Sequence, residues 1–283
     1  MIGGAVIDMI AQAGAMRLPI VGELAAWQQT FILVGAPGLL IAALFIVVRE
    51  PARQGVTKSG VQAGVLKYMW SRKSTFYVLI MAFSIFGMAG ISYLAWAPAV
   101  LIRQHGMTPA EVGFAYGAVL LAAATPGVLV GGWLTDWFGG KGRTDAPVRV
   151  AILALVASIP FAIAMPLMPT QSLAIAALAG FSFFAGVMNS LPATALQAVA
   201  PNQLRAQITA IYFLIGNLIS LGLGPTVVAA ISDNWLGGDQ NIGLSLAIVS
   251  GVTVTVAALM LTRALSPFRD SVDEAREWQE PAR

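Results

Sequence analysis

The chain has 283 residues, of which 58% are hydrophobic and only 10% charged, with a mean hydropathy of +0.79. Soluble domains carry about a quarter charged residues, so this composition excludes a globular core clothed in polar surface, and the solvent must be largely lipid. The absence of cysteine excludes disulfides, thiolate metal sites and cysteine nucleophiles, and the single histidine, His105, excludes a multi-histidine metal centre.

A helix needs about 20 apolar residues to cross about 30 Å of hydrocarbon. Seven runs qualify: 29–48, 75–102, 110–135, 147–168, 171–197, 207–231 and 242–262. Residues 1–16 are too short, are broken by Asp8 and Gln12, and lack the basic start of a signal peptide. Backbone groups in lipid must be satisfied internally, so the runs are expected to be helices, with Pro98, Pro126, Pro192 and Pro225 interrupting them. Their continuity, without alternation, argues against a strand barrel. The expected fold is an all-α polytopic membrane protein.

Orientation follows from lysine and arginine. Loops 49–74, 136–149, 201–206 and 263–283 hold fourteen of the sixteen, whereas the alternate loops hold only Arg17 and Arg103. The first set is expected to be cytoplasmic, with the C-terminus on the same side of a plasma (inner) membrane. The net charge of +3 is then a topology signal. Its dispersal over several loops, without aromatic interleaving, argues against a nucleic-acid partner.

One pattern recurs. Gly131-Gly132-Trp133-Leu134-Thr135-Asp136 and Ala229-Ala230-Ile231-Ser232-Asp233 each place small residues before an Asp at a helix end, with Pro126 and Pro225 upstream. Gly3-Gly4-Ala5-Val6-Ile7-Asp8 has the same form. Small residues permit close helix approach. Recurrence every three helices on alternating faces is the mark of inverted repeats. In that register Met1 falls part-way through a helix, and the chain is expected to be a fragment or the product of an internal start.

The segment from Gly132 through Asp136 to Gly139, Gly140 and Lys141 is similar to the signature loop of the major facilitator superfamily. That loop runs Gly, three residues, Asp, a basic residue, any residue, Gly and two basic residues. This copy departs from it at Trp137 and Gly140, where basic residues are usual. The stretches Tyr93-Leu94-Ala95-Trp96-Ala97-Pro98 and Val199-Ala200-Pro201-Asn202-Gln203-Leu204-Arg205, running on through Gly224-Pro225 to Asp233, resemble the spinster-type branch. The resemblance covers essentially the whole chain and implies helices 6 to 12 of a twelve-helix transporter, after a remnant of helix 5. The implied division is 1–48 for the end of an N-terminal half, 49–74 for a cytoplasmic linker, 75–264 for a complete six-helix half and 265–283 for a cytoplasmic tail.

The resemblance implies a secondary transporter working by alternating access, with a small solute between the halves. Eukaryotic members of the branch are linked with lysolipid and sphingolipid export. An amphiphilic solute, a lysolipid or organic anion, suits a cavity with few charges. The alternative is a non-transporting fragment or partner subunit that needs a complementing N-terminal half. Polar residues at membrane depth are costly and often functional. The cavity candidates are therefore Tyr93, Trp96, Tyr116, Asn189, Tyr212 and Asn217, with interhelical hydrogen bonding as the competing role for the two amides. The cytoplasmic gate candidates are Gly132, Asp136, Gly139, Lys141, Arg143 and Arg205. The pairs Gly113/Gly117 and Gly127/Gly131 read as packing surfaces. The Gly139-Gly140-Lys141-Gly142-Arg143 run fails the phosphate-loop pattern, and neither of the hydrolase motifs sought, a Gly-x-Ser-x-Gly elbow or a His-Glu-x-x-His, is present. No enzyme activity, cofactor or metal is expected; the expected partners are the bilayer and a small solute.

Overall fold

The computed structural model describes residues 17–18, 22–45 and 64–277, and the expected helix remnant at 1–14 lies outside them. The chain divides into two units, 1–55 and 56–283. In the first, β1 (Arg17–Leu18) pairs antiparallel with β2 (Gly22–Glu23), and α1 (Ala26–Phe45) covers most of the first apolar run. The Gln29 side-chain amide donates to the Leu24 carbonyl, 2.9 Å, ahead of α1.

The second unit is a helical bundle. A short helix, α2 (Val65–Ser71), leads into α3 (Lys73–His105). The next span is built from α4 (Pro109–Val119), a π turn (Leu120–Ala124) and α5 (Thr125–Gly140). There follow α6 (Ala146–Ala164), α7 (Gln171–Asn189), α8 (Leu191–Ala198), α9 (Arg205–Trp235) and α10 (Ile242–Glu277). Six of these spans are long and apolar enough to cross a membrane. The protein is a polytopic membrane protein, as its composition requires.

Chain breaks fall where the sequence supplies a physical stop. Gly106 ends α3 at φ +67°, a left-handed conformation that glycine adopts without Cβ strain, and its N–H bonds back to Ile102. Thr108 then opens α4 in a capping box with Glu111, with Pro109 in the first turn. Pro98 and Pro225 are carried inside continuous helices, whereas Pro192 marks the break between α7 and α8. The π turn immediately precedes Pro126, whose missing N–H already interrupts the ladder.

Four helices form the heart of the bundle: α3 lies against both α9 and α10, and α10 also packs on α6. Their shared core is small and branched, including Leu79, Ala89, Ala97, Leu155, Val254 and Leu261. Several polar side chains inside it are spent on carbonyls, whereas the buried Ser92 hydroxyl has no partner among the described residues. The Ser84, Ser250 and Thr253 hydroxyls donate to carbonyls four residues back, and Ser220 on α9 donates across to Ser84 on α3, 3.0 Å. Spans 109–140 and 205–235 are the least covered, and their apolar faces stand open.

Of the two glycine pairs, only Gly127/Gly131 forms a close crossing. A Cβ on Gly127 would run into the Phe183 carbonyl, and one on Gly186 of α7 into the Ala124 carbonyl. Gly113 has nothing within 4 Å. The boundary expected at 264 falls within a helix. Helix α10 continues to Glu277 because Phe268, Val272 and Ala275 stay buried and Ser271 bonds Thr75 of α3, 2.8 Å.

Gly186→Ala should destabilise the bundle by about 1–3 kcal/mol through backbone overpacking. Gly132→Ala, with open space around it, should stay within about 0.5 kcal/mol. Thermal unfolding of both in detergent tests this; equal midpoints would mean that α5 and α7 do not meet at backbone distance.

Candidate functional site

A cavity of about 470 Å³ opens beside the π turn, between α3, α5 and α7. It gathers three of the six cavity candidates: Tyr93, Tyr116 and Asn189. Tyr93 is fully buried, its ring stacked on Phe181 at 4.0 Å and its hydroxyl donating to the Ala162 carbonyl at 2.6 Å. Tyr93 therefore offers the cavity a ring, its hydroxyl being already engaged with α6. Tyr116 is half-buried and Asn189 exposed, and neither side chain makes a hydrogen bond among the described residues. Those two polar groups are free to meet a ligand in an otherwise apolar wall, where an unmet hydrogen bond costs about 1–3 kcal/mol.

The other three candidates lie apart from this cavity. Trp96 uses its indole N–H on the Pro225 carbonyl, 3.1 Å away, and so ties α3 to α9. Tyr212 packs edge-on to Phe83 with ring centres 6.4 Å apart. Asn217 is exposed on α9 and makes no hydrogen bond among the described residues. Neither amide thus serves as an interhelical bond there.

At the basic end, a second pocket of about 560 Å³ brings together Asp136, Gly139, Arg143 and Arg205, with Val272 and Ala275 of α10 closing one side. Asp136 is exposed in the last turns of α5 and makes no ion pair among the described residues. Arg205 donates to the Ala200 carbonyl, 3.3 Å. Lys141 turns away and lies over the Trp137 ring at 3.4 Å, a cation–π contact. Gly132 lines neither pocket.

Sequence reasoning passed over the strongest ionic site, Asp145, which flanks this second pocket. Its side chain is 3% exposed; Arg149 donates from Nε to both carboxylate oxygens at 2.9 Å, and Arg269 of α10 donates at 2.6–2.7 Å. Burial pushes the Asp145 carboxyl up, but the hydrogen bonds and charges of the two guanidiniums outweigh it and hold the group below its usual 3.8. The signal was available in part: Asp145 and Arg149 are four residues apart at a helix start. The contact from Arg269, 124 residues away, was not. A second tie, Arg72 to Glu274 at 2.6 Å, fastens the start of α3 to the same end of α10.

The sequence profile of the Major Facilitator Superfamily matches residues 3–225. The chain belongs to that superfamily. It is 26% identical over 276 residues to an MFS-type efflux pump of Mycolicibacterium smegmatis, covering 95% of this chain and 64% of that protein. The chain therefore spans about two thirds of that curated relative's length. Crystal structures of a bacterial homolog to the human lysosomal transporter Spinster share its fold. The inward-facing, occupied form gives a TM-score of 0.56 at 20% identity, covering 99% of this chain and 65% of that one; the unoccupied form gives 0.57 at 20%, covering 100% and 67%. These relatives are transport proteins and not enzymes.

The segment that resembles the superfamily's signature loop lies at the end of α5, and its departures acquire a local meaning. Trp137, in a usually basic position, receives the Lys141 ammonium on its face and stacks on Trp133, ring centres 6.4 Å apart. Positive charge is thus held beside the loop by a ring instead of by the position itself.

Asp145→Asn should cost about 2 kcal/mol, since it leaves two half-exposed guanidiniums facing a neutral amide. Because the folded carboxyl lies below its unfolded value, its stabilisation is complete above pH 5 or so and is lost as pH falls through the folded value. Unfolding midpoints of wild type and D145N between about pH 3 and pH 7 should therefore converge at the acid end. A gap that persists undiminished there would contradict the assigned pairing.

Proposed function

We propose that the chain forms part of a secondary transporter that moves a small amphiphilic solute, a lysolipid or an organic anion, by alternating access. The observation that carries this reading is the cavity at the π turn. It is an apolar chamber with aromatic walls at Tyr93 and Phe181, and with unengaged polar groups on Tyr116 and Asn189. Apolar walls with a few convergent polar groups suit a ligand with one polar end. The efflux activity named for the mycobacterial relative supports outward movement.

The rest of the proposal concerns architecture. Residues 75–264 form one six-helix half, 1–48 belong to the other half, and 49–74 link the two. The basic loops and the C-terminus face the cytoplasm of a plasma (inner) membrane, on the strength of the lysine and arginine asymmetry. Asp136, with Arg143 and Arg205 across the same pocket, acts as a cytoplasmic gate: its charge pairs in one access state and separates in the other, so that the contact biases their populations.

Binding of a radiolabelled lysophospholipid tests the cavity. Tyr116→Phe and Asn189→Ala should each weaken binding about tenfold, the worth of one hydrogen bond. Asn217→Ala, outside the cavity, should leave it unchanged. Preference for highly charged, hydrophilic ligands, or equal loss in all three variants, would sink the assignment.

Topology is open to a direct test because the chain lacks cysteine. Cysteine placed at Arg143 should react with an impermeant maleimide only in inside-out vesicles. Cysteine placed at Trp235, which is exposed at the far end of α9, should react only in right-side-out ones. The reverse pattern would invert the orientation.

A further inference from the structure

A third concavity, separate from both pockets, runs along the bundle surface near the basic end. It is a groove of about 910 Å³ floored by Phe76, Ile80, Met81, Ile211 and Ile215, and walled by Leu66, Met69 and Trp70 of α2. Its lining is almost wholly apolar, with Lys73 and Ser74 at one end and the Lys73 ammonium 5.7 Å from the Trp70 ring centre. Trp70 and Tyr77 are 75% and 64% exposed. Aromatic rings at this level are the mark of a membrane–water interface.

Charge and length both identify an occupant. No aspartate or glutamate occurs between positions 51 and 110, whereas that stretch holds Arg53, Lys58, Lys67, Arg72, Lys73 and Arg103. Lys67 is exposed and lies three residues before Trp70, about 60° round α2 from the groove wall. The only described acid that pairs here is Glu274, taken up by Arg72 on the other side. Among the described residues, the Lys73 end of the groove is therefore positive. From Lys73 to Met81 the floor extends eight residues, or about 12 Å along α3, close to the depth of one leaflet, about 15 Å.

We infer that this groove is a binding site for an anionic phospholipid of the leaflet on the side of the basic loops. One acyl chain lies on Phe76, Ile80 and Ile215, and the phosphate sits between Lys67 and Lys73. The site is distinct from the cavity at the π turn and shares no lining residue with it. Short α2 lies along the interface as the lid of the headgroup end, with Tyr68 anchored beneath it by a hydroxyl bond to the Val199 carbonyl, 2.8 Å.

Native mass spectrometry of the purified full chain, equilibrated with equimolar phosphatidylglycerol and phosphatidylcholine of identical acyl chains, tests this. Each interfacial lysine favours the anionic lipid about fivefold, so the wild type should retain phosphatidylglycerol over phosphatidylcholine by about 25-fold. Lys67→Gln with Lys73→Gln should bring that ratio near unity, and Ile215→Trp, which fills the floor, should reduce retention of both lipids. Arg103→Gln, at the opposite end of α3, should keep the wild-type ratio. Equal retention of the two lipids by the wild type would overturn the site. So would an unchanged ratio in the double variant, or a lipid-free dimer in which a second copy fills the groove.

Discussion

Every backbone polar group in a membrane interior must find its partner within the protein, because lipid offers none, and side-chain polar groups are under the same pressure. That constraint explains why the bundle is helical throughout its spans and why its serines and threonines turn back onto carbonyls of their own helix, as Ser250 and Thr253 do. It also explains the longer reaches. Tyr93 crosses to α6, Trp96 to α9 and Ser245 to the Val228 carbonyl, 2.5 Å away. Against such a background an unengaged polar side chain carries information. Tyr116 and Asn189 stand out because their unengaged polar groups line one cavity.

The same constraint drives charge to the helix ends, and there the ionic contacts do structural work. Asp145 receives guanidiniums from α6 and α10, and Arg72 joins α3 to α10 through Glu274. Together with the Thr75–Ser271 hydroxyl contact they hold the final turns of α10 against the bundle. This is why the helix outlasts its apolar run. An apolar count stops at 262, where hydrocarbon-compatible residues give way to Arg263, but helical continuity there rests on alternating buried positions such as Ala264, Phe268, Val272 and Ala275. The sequence shows where lipid ends and is silent on where packing ends.

How much else was legible follows the same division. Apolar length located every span of the second unit, because burial in lipid is a local property of composition. The cavity was legible in part. A tyrosine or asparagine in an apolar run declares itself polar, but its destination depends on which neighbour supplies a carbonyl. Trp96 found Pro225 across the helix pair, whereas Asn217 points to no partner among the described residues. Asp145 escaped notice because an acid beside a loop looks solvated until a distant arginine closes over it. The glycine pairs divided for an equally nonlocal reason: Gly127 has the α7 backbone opposite it, and Gly113 has nothing.

The cavity and the pocket at Asp136 share one helix. Helix α5 begins at the π turn that lines the cavity and ends in the turns that carry Asp136 and Gly139. Along its middle, Gly127 and Gly131 meet α7 at backbone distance, with Gly186 reciprocating, so no side chain is available to yield between the two helices. Interfaces packed this closely transmit displacement in preference to absorbing it. The place where the 109–140 span can bend is therefore the π turn, where the hydrogen-bond ladder is already loosened and Pro126 supplies no N–H.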